Sequence, residues 1–174
     1  GGVFETQRQA GEVGIKPHTL LRYMEEIADV LDYLHQKHQL VHGNLKLSQV
    51  GIDHRHVQIL DWGIHQPEHV THNLWSLDAL QFAAPEVIEG YPVPASDQFA
   101  LAAIYVLAHT GYPPLPSRSL TEFFDLRREK TFDTRLAKEH ELSALNRALH
   151  ADPAARFPAC AAFVKALQAN KSIP

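Results

Sequence analysis

The chain has one cysteine, one methionine and no long apolar run. A lone cysteine, Cys160, excludes an internal disulfide and suits a reducing compartment. It sits among alanines in a helical pattern, where a small core residue is expected. The longest apolar stretch, residues 99–108, falls well short of the roughly 20 residues needed to cross a bilayer. No leader-like segment opens the sequence, so the expected location is the cytoplasm, with no membrane insertion. Charge of one sign is also scarce, with 16 Lys and Arg against 20 Asp and Glu, a net of -4. That balance argues against nucleic acid or an anionic membrane as partner. The single basic cluster, Arg127-Arg128-Glu129-Lys130, is short and interrupted, and reads as a solvated helix end. Repeats and low-complexity tracts are missing too. What is present is ordinary for a globule: 45% hydrophobic and 21% charged residues. A length of 174 residues supports one sizeable core, so residues 1–174 are expected to form a single domain.

Chemistry is concentrated in His42-Gly43-Asn44-Leu45-Lys46-Leu47-Ser48-Gln49. Two short β-like runs follow, Val50-Gly51-Ile52 and Val57-Gln58-Ile59, separated by the polar turn Asp53-His54-Arg55-His56. Then come Asp61-Trp62-Gly63, Ala84-Pro85-Glu86, Ser96-Asp97 opening an apolar helix, and Asp152-Pro153-Ala154-Ala155-Arg156. Each is weak alone, but the order is informative. The first resembles the protein-kinase catalytic loop H-R-D-L-x-x-x-N, and the others resemble D-F-G, A-P-E and the closing D-P-x-x-R. Together they resemble the C-terminal lobe of a bacterial eukaryotic-like serine/threonine protein kinase over nearly the whole chain.

The resemblance implies a mainly α (α+β) fold, a kinase-like C-terminal lobe with a small β-hairpin and no N-terminal lobe. It also implies that the loop has lost its working parts. Gly43 stands where an Arg grips a loop phosphate, so modification of Thr71 or Ser76 would lack that partner. Asn44 stands at the catalytic base, and an amide is too weak a base to take the substrate proton. Gln49 stands at the metal-binding Asn. Lys46 matches the position that touches the transferred phosphate, and Asp61 matches the metal-binding Asp. Both are expected to be vestigial for ATP and Mg²⁺. His42, Glu86, Asp97 and Arg156 match structural positions: an internal spine, a buried ion pair (Glu86 with Arg156), and an acid that orients the loop by accepting backbone N–H bonds.

The N-terminal lobe's phosphate loop, G-x-G-x-x-G, does not occur. Val13-Gly14-Ile15-Lys16 imitates the V-A-I-K strand but precedes Pro17 and runs into a helix. Either the natural protein lacks that lobe, or the chain is a fragment.

Helices are expected where apolar spacing says so. Pro17 suits a first turn, followed by the stripe Leu20, Met24, Ile27, Leu31 and Leu34. Ser96 is a candidate N-cap for the helix at 99–108, and Gly111 a candidate stop before Tyr112-Pro113-Pro114-Leu115-Pro116. Further helices are expected from about Leu120 (Phe123, Phe124), around Leu142, Leu145 and Leu149, and from near Pro158 (Phe163, Val164, Leu167). Phe123 and Phe124 are adjacent, so one of them is expected to be exposed.

The leading expectation is a pseudokinase lobe that binds protein. Its expected surfaces are the activation segment, the Phe123–Phe124 helix, and an open upper face with apolar surface around Trp62 and His42. Self-association is an alternative use of the same surfaces. Competing readings are a residually active ATP–Mg²⁺ kinase, a fragment of a larger one, or a small-molecule phosphotransferase. The last rests on His42-Gly43-Asn44 and Leu60-Asp61-Trp62, which also resemble the H-G-D and D-W of aminoglycoside-type enzymes. A zinc site at His65, His69 and His72 is disfavoured by Pro67 and the lack of a completing ligand.

Overall fold

The computed structural model describes residues 15–53, 56–61, 77–128 and 139–169. The first helix, α1, runs Pro17–His38 with proline in its opening turn, where a missing N–H costs nothing. Leu20, Leu21, Met24, Ile27, Ala28 and Leu31 are buried, one apolar face at helical spacing. Gln39 ends the helix in the left-handed region at φ 54, and the Leu40 N–H returns to the Leu34 carbonyl at 3.2 Å. His35, Lys37 and His38 sit in the last turn, the charge preference expected at that end of the dipole.

A loop and the 3₁₀ turn Leu47–Gln49 lead into a hairpin of β1 (Val50–Asp53) and β2 (His56–Ile59). The strands pair antiparallel from Val50 opposite Ile59 to Asp53 opposite His56. The Val57 N–H donates to Glu26 Oε2 of α1 at 2.8 Å, which fastens the hairpin to the helices. Ile15 lies in no strand; its N–H donates to the Ala108 carbonyl at 3.0 Å.

The remaining elements are helical: α2 (Leu77–Leu80), α3 (Pro85–Ile88), α4 (Pro94–Thr110), α5 (Leu120–Arg128), α6 (Glu139–Ala148), a 3₁₀ turn Pro153–Ala155, and α7 (Cys160–Ala169). Helix α4 is the axis, buried without interruption from Ser96 to Val106. It stops at Gly111, φ 78, which tolerates that conformation because it has no Cβ. Helices α1, α6 and α7 close around it, with Leu31, Phe99, Ile104, Leu145 and Phe163 in one core. Leu80, Leu115 and Phe123 form a second, smaller cluster. Phe123 is fully buried and Phe124 is 40% exposed.

Two details differ from the sequence expectation. Ser96 is not the N-cap of α4. Pro94 starts the helix, Val93 precedes it, and Ser96 Oγ accepts from the Val93 N–H at 3.0 Å. Helix α7 begins at Cys160, two residues after Pro158, and its cap is remote, which the sequence did not announce: Asp32 of α1 accepts from the N–H groups of Cys160 (2.8 Å) and Ala161 (2.9 Å).

The fold is therefore mainly helical with one small antiparallel sheet, and no N-lobe sheet lies among the described residues. Among those residues no helix is long and apolar enough to cross a membrane.

Candidate functional site

The loop between α1 and β1 is shaped by one carboxylate. Asp97, at the buried start of α4, accepts from the Gly43 N–H through Oδ1 and from the His42 N–H through Oδ2, both at 2.8 Å. His35 Nε2 lies 2.7 Å from the same Oδ2. An ionised carboxylate only accepts, so that nitrogen carries the proton. Asp97 is 1% exposed. A buried charge of this kind is tolerated because its hydrogen bonds are made.

Gly43 turns the chain at φ 68, and a Cβ there would meet Pro92 Cβ at 3.3 Å. A larger residue is strained twice, by conformation and by contact. His42 is buried, and the Asn44 N–H donates to its Nδ1 at 3.3 Å. Burial holds the His42 imidazole below its ordinary value, with Asp97 and Asp61 pulling the other way. The ring is neutral near pH 7. The apolar surface expected around His42 is not offered by His42 itself, which is 2% exposed. Trp62 lies outside the described residues, as do His65, His69, Thr71, His72 and Ser76.

Asn44 is half-buried and shares a cleft with Gly43, Leu80, Ala84 and Ser96. Among the described residues none hydrogen-bonds its side chain. Gln49 is buried and works in two directions. Its Oε1 accepts from the Lys46 N–H at 3.1 Å, and its Nε2 reaches Asp61 Oδ2 at 3.4 Å. Asp61 is exposed, at φ 55, a conformation that Asp adopts more readily than most residues. The fold thus brings Lys46, Gln49 and Asp61 together across the start of the hairpin. A magnesium ion held between protein and phosphates usually takes one or two carboxylates. Asp61 is the one carboxylate here, and an amide lies against it.

The interior pair is built differently. Arg156 grips Glu86 with both arms, Nη1 to Oε1 at 2.7 Å and Nη2 to Oε2 at 2.9 Å. Its remaining donors reach the carbonyls of Ala95, His150 and Ala151, and Ser96 Oγ donates to Glu86 Oε1 at 2.6 Å. Burial alone pushes the Glu86 carboxyl up; the bonds from Arg156 and Ser96 outweigh it and hold it below its ordinary value.

Three residues that matter here carried no signal in the sequence. His35 and Asp32 sit on the polar side of α1, and Gln98 immediately precedes the apolar run. Gln98 donates to the carbonyls of Phe157 and Ala159 and accepts from the Phe157 N–H. Their partners are 59 or more residues away, so no local pattern could have announced them.

Residues 2–167 match the family model of the protein kinase domain. The chain belongs to the protein kinase domain family. It is 31% identical over 124 residues to the serine/threonine-protein kinase grp of Drosophila melanogaster, covering 67% of this chain and 24% of that protein. It is 28% identical over 145 residues to Aurora kinase B of Danio rerio, covering 78% of this chain and 43% of that one. Among solved structures it resembles the kinase domain of Mycobacterium tuberculosis PknI. The TM-score is 0.70 at 23% identity over 97% of this chain and 62% of that one. A double mutant of the same domain gives 0.66 at 25% identity, covering 95% and 60%. The chain therefore spans less than half of each curated relative and about three fifths of the solved domain. Its fold is related to that of serine/threonine kinases and corresponds to part of a kinase domain, in the manner of a C-terminal lobe.

Proposed function

We propose that this chain is a catalytically silent kinase lobe that acts by binding protein. One feature carries the reading: Asn44, an amide, stands where the kinase resemblance puts the proton acceptor, next to the His42 and Gly43 N–H groups that Asp97 holds. A positioned general base contributes typically about 10²–10⁴-fold to rate, and no other carboxylate stands in the loop. Lys46 and Asp61 are vestiges of phosphate and metal binding on this reading, and no ATP is required. The protein partner, or a second copy of the chain, engages the upper face or the activation segment. His42, Glu86, Asp97 and Arg156 serve the scaffold alone.

The test is phosphate transfer by the whole chain with Mg²⁺ and labelled ATP. The expected result is no metal-dependent turnover, and none after Asn44→Asp, because Gln49 and the single carboxylate Asp61 remain. Robust turnover that Asp61→Ala abolishes would overturn the reading.

The partial coverage of the relatives supports a second reading, a segment of a larger ATP-dependent kinase. The intact mass of the cellular protein separates the two.

A further inference from the structure

Asp32, His35 and Cys160 do more than join two helices. One ligand atom from each lies within 4.8 Å of the others. No other group of three metal-ligating side chains gathers this closely among the described residues. We propose that these three side chains form a binding site for one divalent cation of the zinc type, placed beneath the loop described above.

The orientation of His35 is the first support. Its Nε2 lies 2.7 Å from Asp97 Oδ2, so in the neutral ring that donates there Nδ1 is the nitrogen with a lone pair. Nδ1 faces Asp32, 4.0 Å from Oδ1. A ligating imidazole typically donates its other N–H to a carboxylate, which fixes the tautomer and raises ligand basicity. The Asp97–His35 pair has that arrangement before any ion arrives.

Charge is the second support. Asp32 and Asp97 flank the His35 imidazole, and among the described residues neither pairs with Lys or Arg. A divalent ion would lower the net negative charge of the cluster by one, replacing the thiol proton with a metal–sulfur bond and releasing H⁺ to solvent.

Donor chemistry chooses the ion. One thiolate, one imidazole and one carboxylate suit a borderline-soft cation rather than Mg²⁺ or Ca²⁺. Typical bonds of about 2.0–2.3 Å require the three side chains to draw in slightly from their present spacing. Three protein ligands leave a fourth position for water. Asp32 can keep its hold on the Cys160 and Ala161 N–H groups, since its oxygens have lone pairs to spare. The ion would then lock α1 to α7, with α4 attached through Asp97.

Cobalt is the probe, because only a sulfur ligand gives an intense near-ultraviolet charge-transfer band. Cys160 is the chain's single cysteine, so any such band reports on it. The whole chain titrated with Co²⁺ should develop the band to saturation at one equivalent, and Zn²⁺ should displace it. Cys160→Ser should lose the band, and His35→Gln should weaken binding more than about tenfold. Cobalt bound by surface histidines alone, without the band, overturns the site. So does saturation at half an equivalent, which would mean a thiolate bridge between two chains. The wild-type titration decides both points even if a variant fails to fold.

Discussion

Glu86 and Asp61 are both carboxylates in kinase-like positions, yet the fold treats them oppositely. Glu86 is buried, held by two arms of one guanidinium and by a serine hydroxyl, all within 2.9 Å. Asp61 is exposed and meets one amide at 3.4 Å. The first arrangement braces α3 against α4 and the turn before α7. The second braces little. Internal bracing is dense here, while the edge at Asp61 is thinly held.

The contrast can be broken most forcefully at Arg156. Arg156→Met leaves Glu86 charged, buried and unpaired, and should cost about 3–5 kcal/mol, read as a lower urea midpoint at unchanged slope. Asp97→Asn comes next. It removes a charge that serves three donors, and an amide oxygen cannot satisfy them all. The expected loss is about 1.5–3 kcal/mol, with faster amide exchange at His42 and Gly43. Gly43→Ala forces a Cβ into the left-handed region and should cost about 1–2 kcal/mol by the same melt.

Acid sharpens the comparison more gently. The His42 imidazole binds its proton less readily folded than unfolded. Its contribution is therefore complete above the ordinary value of 6.5 and is lost as pH falls below it. The Glu86 carboxyl is depressed from 4.5, so its contribution is present above that value and fades as pH falls further. Thermal midpoints against pH should show two descents, and His42→Gln should remove only the upper one. Smallest of all is Asp61→Asn, which keeps a residue that tolerates φ 55 and should shift stability by no more than about 0.5 kcal/mol. A loss as large as that of Asp97→Asn would erase the contrast.

Much of the fold was legible because its signals are local. The stripe of α1, the hairpin around Asp53, the apolar run of α4 and its stop at Gly111 each need only neighbours in sequence. The hairpin returns the chain from Gln49 to Asp61, so the contact of those two residues needs only nearby sequence as well. Ser96 misled: its type suggests a cap, but Pro94 had already set the helix start and Glu86 claimed the hydroxyl. His35, Asp32 and Gln98 were illegible because a polar residue on a helix announces no partner. Their roles exist only once α1, α4 and α7 have packed.

That packing has a mechanical consequence. Asp32 of α1 touches the start of α7, while Glu25, an α1 residue further upstream, meets Gln168 near the end of α7. The two helices run antiparallel along a shared seam of about 10–12 Å between those contacts. Residues 15 and 169 sit toward the same end of that seam. Force applied between them would peel it open like a zipper, Glu25–Gln168 first and Asp32–Cys160 last. Such a lobe yields to small loads at its ends while keeping its far end closed.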